Sequence, residues 1–117
     1  MKITIEQALQ QGVTAHNAGN LQEAERAYQV ILQSQPQHPD ANHNLGLIAI
    51  SVNQIEAALP LFKTALNVNP KIEQFWVSYI FALVKASKVK EAKQAIEKAK
   101  KKGVDAKKLQ SLLPQSD

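Results

Sequence analysis

Apolar and polar positions along this chain alternate with the three-to-four-residue period of helices packed on one face, and short polar stretches interrupt them. Thr4 with Gln7 is a capping-box signal for a first helix running to about Ala18, where Gly19 offers a stop. Asn20 with Glu23, and Asn53 with Glu56, give the same start signal for two later helices, and Pro39 suits the first turn of the helix between them. "ANHNLGLIAI" and "FWVSYIFALV" read as largely buried helices. "VDAKKLQSLLP" reads as a short closing helix capped by Asp105 and stopped near Pro114, with Leu109, Leu112 and Leu113 as its apolar face and Val104 stapled on Leu109. The pattern predicts an all-α chain of about seven helices, antiparallel neighbours joined by short turns. Pro60 falls inside a predicted helix and should bend it slightly, because it cannot donate to the carbonyl of Glu56.

The same pattern recurs at a fixed distance. "QEAERAYQVILQSQP" (22–36), "EAALPLFKTALNVNP" (56–70) and "KEAKQAIEKAKKKGV" (90–104) are thirty-four residues apart. Ala24, Ala58 and Ala92 align, then Tyr28, Phe62 and Ile96, then Ile31, Ala65 and Ala99; Pro36 and Pro70 close two copies and Val104 takes that place in the third. A period of this length is the mark of a repeat array. Two helices of one copy can approach closely only on small residues, which Gly12, Ala15, Gly46, Ala49, Ala24, Ala58 and Ala92 supply. Tyr28, Phe62 and Ile96 are then expected to fill the space between one hairpin and the next.

In this pattern the chain resembles the tetratricopeptide repeat (TPR) family. The first-helix part is met by Asn42, Leu45, Gly46 and Ala49 in copy two and by Trp76, Tyr79, Ile80 and Leu83 in copy three; Ala8, Gln11, Gly12 and Ala15 match more loosely in copy one. The resemblance implies a right-handed superhelical solenoid in one domain. Its repeats would span about 5–38, 39–72 and 73–104, with a capping helix at about 105–113. More narrowly, "HPDANHNLGLIAI" (38–50) followed by "NPKIEQFWVSYIFALVKASKVKEAKQAIEKAKKKG" (69–103) resembles the N-terminal TPR segment of bacterial multidomain proteins that carry a glycosyltransferase, sulfotransferase or methyltransferase domain. That makes the scaffold part of a larger transferase one alternative.

The family commonly binds peptides on an inner face lined by the first helix of each copy. Carried over, that face comprises Glu6, Leu9, Gln10, Val13, His16 and Asn17, then Asp40, His43, Asn44, Leu47, Ile50 and Ser51. Copy three adds Gln74, Val77, Ser78, Phe81, Val84 and Lys85. Val13, Leu47 and Phe81 are equivalent, as are Leu9, His43 and Val77; they would form an apolar stripe suited to a peptide or protein segment with apolar anchors. Periodicity alone leaves open whether this stripe faces a partner or the core. Asn44 stands where some family members grip a peptide backbone, but Gln10 and Ser78 replace its counterparts. Leu9, Val13, Gln74 and Ser78 also replace the Lys, Asn, Lys and Arg of a carboxylate clamp, which argues against chaperone C-termini as partners.

Composition narrows the chemistry further. The chain lacks cysteine, a glycine-rich phosphate loop and a serine elbow, so the sequence gives no warrant for catalysis and asks for no cofactor. His38, Asp40 and His43 do not set two ligands at i and i+4, which speaks for a solvated turn over a metal site. "MKITIEQALQQG" has no apolar core of a signal peptide and no stretch reaches the ~20 apolar residues of a spanning helix, so the cytoplasm is the expected compartment. Residues 1–84 carry a net −2 and residues 85–108 a net +7, with Asp117 bringing the chain to +4. Lys98, Lys100, Lys101 and Lys102 sit where cations complement a helix C-terminus, and without arginines or stacking aromatics they read as a solvated end before a nucleic-acid or anionic surface. Self-association into a homo-oligomer through Leu9, Val13, Phe81 or the last helix remains the structural alternative to partner binding.

Overall fold

The computed structural model describes residues 3–115, which form seven helices and, among these residues, no strand. In chain order they are α1 (Ile5–Asn17), α2 (Leu21–Ser34), α3 (Pro39–Ser51), α4 (Ile55–Val68), α5 (Glu73–Lys85), α6 (Val89–Lys101) and α7 (Ala106–Gln110). They stack into an elongated solenoid 56 × 27 × 19 Å across. The core is divided accordingly. One cluster joins α1, α2 and α3, a second joins α3, α4 and Ala82 of α5, and a third runs from α4 through α5 and α6 to Val104 and Leu109. Each cluster draws on neighbouring elements, as expected of an array whose stability is a sum of adjacent interfaces.

The helix starts follow local chemistry. Thr4 accepts from the Gln7 amide at 3.0 Å while the Gln7 side chain accepts from the Thr4 amide at 2.8 Å, a complete capping box. Asn20 caps α2, His38 Nδ1 caps α3 one residue before Pro39, and Asp105 caps α7. Asn53 does not cap α4. The residue at that place is Gln54, which makes no side-chain cap bond, and Lys88 stands equally uncapped before α6. Asn20, Gln54 and Lys88 share one register position, so placing the α4 start at Asn53 was one residue early.

Asn53 has a different task, shared with Gly19 and Ser87 one repeat either side. All three sit in the left-handed region, at φ 62°, 80° and 63° respectively. There each ends a first helix, and the next amide reaches back five residues: Asn20 to Ala15, Gln54 to Ala49 and Lys88 to Leu83, each at 2.8 Å. Glycine adopts this conformation without steric cost and asparagine tolerates it, whereas serine has neither advantage. Ser87→Gly should therefore stabilise the chain by about 0.5–1 kcal/mol, the relief of left-handed strain exceeding the entropy glycine adds to the unfolded chain. Thermal melting followed by circular dichroism checks this: the variant should melt a few degrees higher, and a lower midpoint would contradict the assignment.

The second helices end two residues before Pro36 and Pro70. Both proline carbonyls are then held by the next first helix, at repeat-equivalent positions. Asn42 Nδ2 donates to Pro36 O at 3.1 Å and Trp76 Nε1 donates to Pro70 O at 2.7 Å. These bonds explain why a polar-tipped residue occupies position four of α3 and α5. Helix α4 runs through Pro60 without interruption.

The small residues do what their spacing implies. A Cβ built on Gly12 would lie 2.4 Å from the Tyr28 ring, and one on Gly46 would lie 2.4 Å from the Phe62 ring. Tyr28 and Phe62 thus press on the glycine of their own hairpin, and they also share core clusters with the next one, Tyr28 with Ala41 and Ile48 and Phe62 with Ala82. Copy three places two buried isoleucines, Ile80 and Ile96, at the same two positions.

Candidate functional site

The neighbour relations of the helices decide which face is inner. Helix α1 brings its backbone close to that of α3, and α3 to that of α5, but among the described residues no second helix (α2, α4, α6) brings its backbone within 8 Å of another. First helices that approach while second helices splay apart put α1, α3 and α5 on the inside of the curve.

Most of the residues assigned to that face keep surface open. Phe81 is 40% exposed. Gln10, Asn17, Gln74 and Lys85 are exposed, as are Glu6, Asp40 and Ser51. Leu9, Val13, His16, Asn44, Leu47, Ile50, Val77 and Val84 are half-buried. Leu9 leans on the first core cluster, Leu47 and Ile50 on the second, and Val77 and Val84 on the third. The stripe is therefore rooted in the core and open at its outer edge. Lys85 sets its ammonium 5.8 Å from the centre of the Phe81 ring, within cation–π range. Gln10 donates to Thr14 at 3.2 Å, one turn along α1.

His43 and Ser78 depart from the expected arrangement. Both are only 5% exposed, so their side chains belong to the interface between α3 and α5 and not to an open groove. His43 Nε2 lies 2.7 Å from Ser78 Oγ, and Nδ1 lies 3.3 Å from Asn44 Oδ1. With the Asn44 oxygen accepting, Nδ1 carries the proton and Nε2 accepts from the Ser78 hydroxyl. The imidazole is flanked by Phe62 and Phe75, with ring centres 5.5 and 4.8 Å away. Equivalent positions of successive first helices lie side by side. A residue one place before Asn44 is thus brought to face Ser78, thirty-five residues on. The repeat register carries the His43–Ser78 signal, whereas no register position marks Phe75 as the second wall of the histidine's cage.

Asn44 is consequently tied to the core on one side while its remaining surface stays on the inner face. The Tyr28 hydroxyl also points its way, buried and without a well-formed hydrogen bond; burial raises the Tyr28 pKa, and the nearby Asn44 opposes that rise. His38 is engaged in its helix cap, and no three His, Asp or Glu side chains among the described residues are grouped to hold a metal ion. No helix of the described residues is long and apolar enough to cross a membrane.

Burial lowers the pKa of His43 below its ordinary value, although the Asn44 bond and the Asp40 charge pull it upward. The folded state therefore holds this ring neutral, and the unfolded chain binds the proton first as pH falls. The stability this contributes is complete above the unfolded value of about 6.5 and is lost progressively below it. The wild-type melting temperature should drop between pH 7.5 and pH 5.5. In His43→Gln, which keeps a hydrogen-bonding side chain without that titration, the drop should be smaller. Parallel slopes for the two proteins would contradict this origin.

Residues 15–74 match the tetratricopeptide-repeat family, just over half of the chain. The chain belongs to the TPR family. Comparison with curated proteins gives no match. Among solved structures, the array superimposes on the Yersinia enterocolitica type III secretion chaperone SycD in complex with a peptide of the translocator YopD. The TM-score is 0.83 at 15% identity, over 97% of this chain and 92% of that one. It also matches the MamA protein (TM-score 0.73, 17% identity, 81% of this chain and 52% of that one). An O-GlcNAc transferase variant from Thermobaculum terrenum matches with a TM-score of 0.75 at 23% identity, over 85% of this chain and 20% of that one. The TPR array thus spans about half of the MamA chain and a fifth of the transferase. At these identities the likeness is one of fold.

Proposed function

We propose that this TPR array is a non-catalytic protein-interaction module whose inner face receives a peptide or protein segment with apolar anchors. The observation that carries the reading is the register of Val13, Leu47 and Phe81. These apolar residues recur once per repeat on the inner helices, retain exposed surface, and reach 40% exposure at Phe81. A monomeric array has no packing reason to leave a phenylalanine open at a repeated inner position, whereas an extended peptide or amphipathic helix uses such evenly spaced footholds. Gln10, Asn17, Asn44 and Gln74 border the stripe with groups that both donate and accept, suited to a peptide backbone. His43 and Ser78 have no direct part in it; they hold α3 against α5 and so fix the spacing of the footholds. The SycD structure, a TPR-like fold with a peptide bound, supports the class of partner.

Selection of random twelve-residue peptides on the immobilised chain tests the reading. Recovered sequences should carry two or three spaced apolar residues, and sedimentation of the free chain should give a concentration-independent mass. Failure to enrich any peptide, together with a mass that grows with concentration, would favour self-association. The Thermobaculum transferase, of which the array matches a fifth, supports a second reading as the scaffold portion of a larger enzyme. In that reading the inner face presents partners or substrates to a domain supplied elsewhere.

A further inference from the structure

Away from the inner face, the end of α4, the α4–α5 turn and the last turn of α6 enclose a surface pocket of about 360 Å³. Its floor is apolar, built from Leu66, Pro70 and Trp76, with Asn67 at the side. Its rim is cationic: Lys98 and Lys101 of α6 and Lys102 at its C-cap line it, and no carboxylate does. None of these three lysines forms an ion pair among the described residues. The nearby cations that do are Lys100 with Glu97, Lys108 with Glu73 and Lys88 with Glu56. Cations at a helix C-terminus need no ligand to be explained. Three of them set around an apolar hollow give that end a shape and a polarity that the dipole does not require.

We infer that this pocket is a second docking site, which takes one bulky apolar side chain from an acidic peptide segment whose carboxylates pair with Lys98, Lys101 and Lys102. The volume lies near the lower limit of small-molecule sites, roughly 300–1,000 Å³, and so suits a side chain better than a whole ligand. Charge complementarity selects the flanking residues. Stacked nucleobases fit poorly, because Trp76 is 5% exposed, its indole N–H is committed to Pro70 O, and no arginine lines the pocket. The rim of the site stands on α4 and on α6 and its C-cap, and of the inner helices only Trp76 of α5, a residue outside the inner-face set, lines it. A partner that entered the groove could therefore be held again by an acidic stretch further along its chain, where linkage would multiply the two affinities.

The probe is a fluorescein-labelled hexapeptide with acidic residues flanking a single phenylalanine, followed by fluorescence anisotropy against the full chain. It should bind with an affinity that falls as salt rises. Lys98→Gln/Lys101→Gln/Lys102→Gln should weaken it about tenfold and flatten that salt dependence. Asn67→Trp, a change at an exposed position that fills the hollow, should weaken it by a similar factor with the lysines intact. Leu47→Asp/Phe81→Asp should leave it unchanged, which separates this site from the inner groove. Equal binding of a peptide with serine in place of the phenylalanine would overturn the proposal, leaving only diffuse attraction. So would absence of binding at millimolar peptide, or lysine-dependent capture of oligouridylate or phosphatidylserine vesicles in preference to the peptide.

Discussion

Gly46→Ala lowers stability by about 1–2 kcal/mol in this account, even though alanine is the better helix former by about 1 kcal/mol. The opposing term is packing. The new methyl would lie 2.4 Å from Phe62 Cε1 and 2.8 Å from Cδ1, and Phe62 is fully buried, so the ring cannot swing into solvent. Forcing a methyl into a filled core costs about 1–3 kcal/mol, enough to reverse the sign set by helix propensity. Phe62→Leu alone should also destabilise, because it leaves a cavity. The combined Gly46→Ala/Phe62→Leu chain conserves the volume of the pair and should lose less than the two single losses together, by about 1 kcal/mol or more. Urea denaturation of the four proteins measures this cycle. Stabilisation by Gly46→Ala, or strict additivity, would mean that the close approach of α3 and α4 is not set by this pair.

Leu47→Asp/Phe81→Asp should weaken a selected groove peptide by about 100-fold or more. Each change removes an apolar anchor, and anchors of this kind are worth about 2 kcal/mol or more where they dominate an interface. It also puts a carboxylate where the partner brings apolar surface. Phe81 is exposed and Leu47 only half-buried, so the helical circular dichroism spectrum should persist. Phe81→Asp alone, at the more open position, should retain the native melting temperature and still weaken binding about tenfold or more, which keeps loss of fold apart from loss of contact. Titration calorimetry with the same peptide reads both, and an unchanged affinity in Phe81→Asp would remove that residue from the site.

Much of this architecture is written in the thirty-four-residue period, because the same physical problem is solved at each recurrence. Gly12 and Gly46 mark close helix crossings, the aligned alanines mark buried faces, and Pro36 and Pro70 mark the exits of second helices. What the period did not reveal directly were pairings that join one copy to the next. His43 looked like a groove residue since it aligns with Leu9 and Val77, yet its ring is drawn between Phe62 and Phe75 and bonded to Ser78. Local capping rules misplaced the start of α4, because Asn53 with Glu56 has the composition of a cap but the register of a left-handed turn. The lysine-rimmed pocket was invisible for a related reason. Trp76 and Lys98 belong to different helices, and only folding brings them to one hollow. The stripe of Val13, Leu47 and Phe81 was legible as a register, but its partial exposure was not, since an apolar period looks the same on a core face and a binding face.

The most direct test of the account is a nitrogen-15 correlation spectrum of the full chain titrated with a peptide recovered by selection. The account predicts that the largest shift changes fall on α1, α3 and α5, at Gln10, Val13, Asn44, Leu47, Gln74 and Phe81, with the amides of α2, α4 and α6 largely unmoved. Changes centred on the second helices, with the inner helices silent, would contradict it.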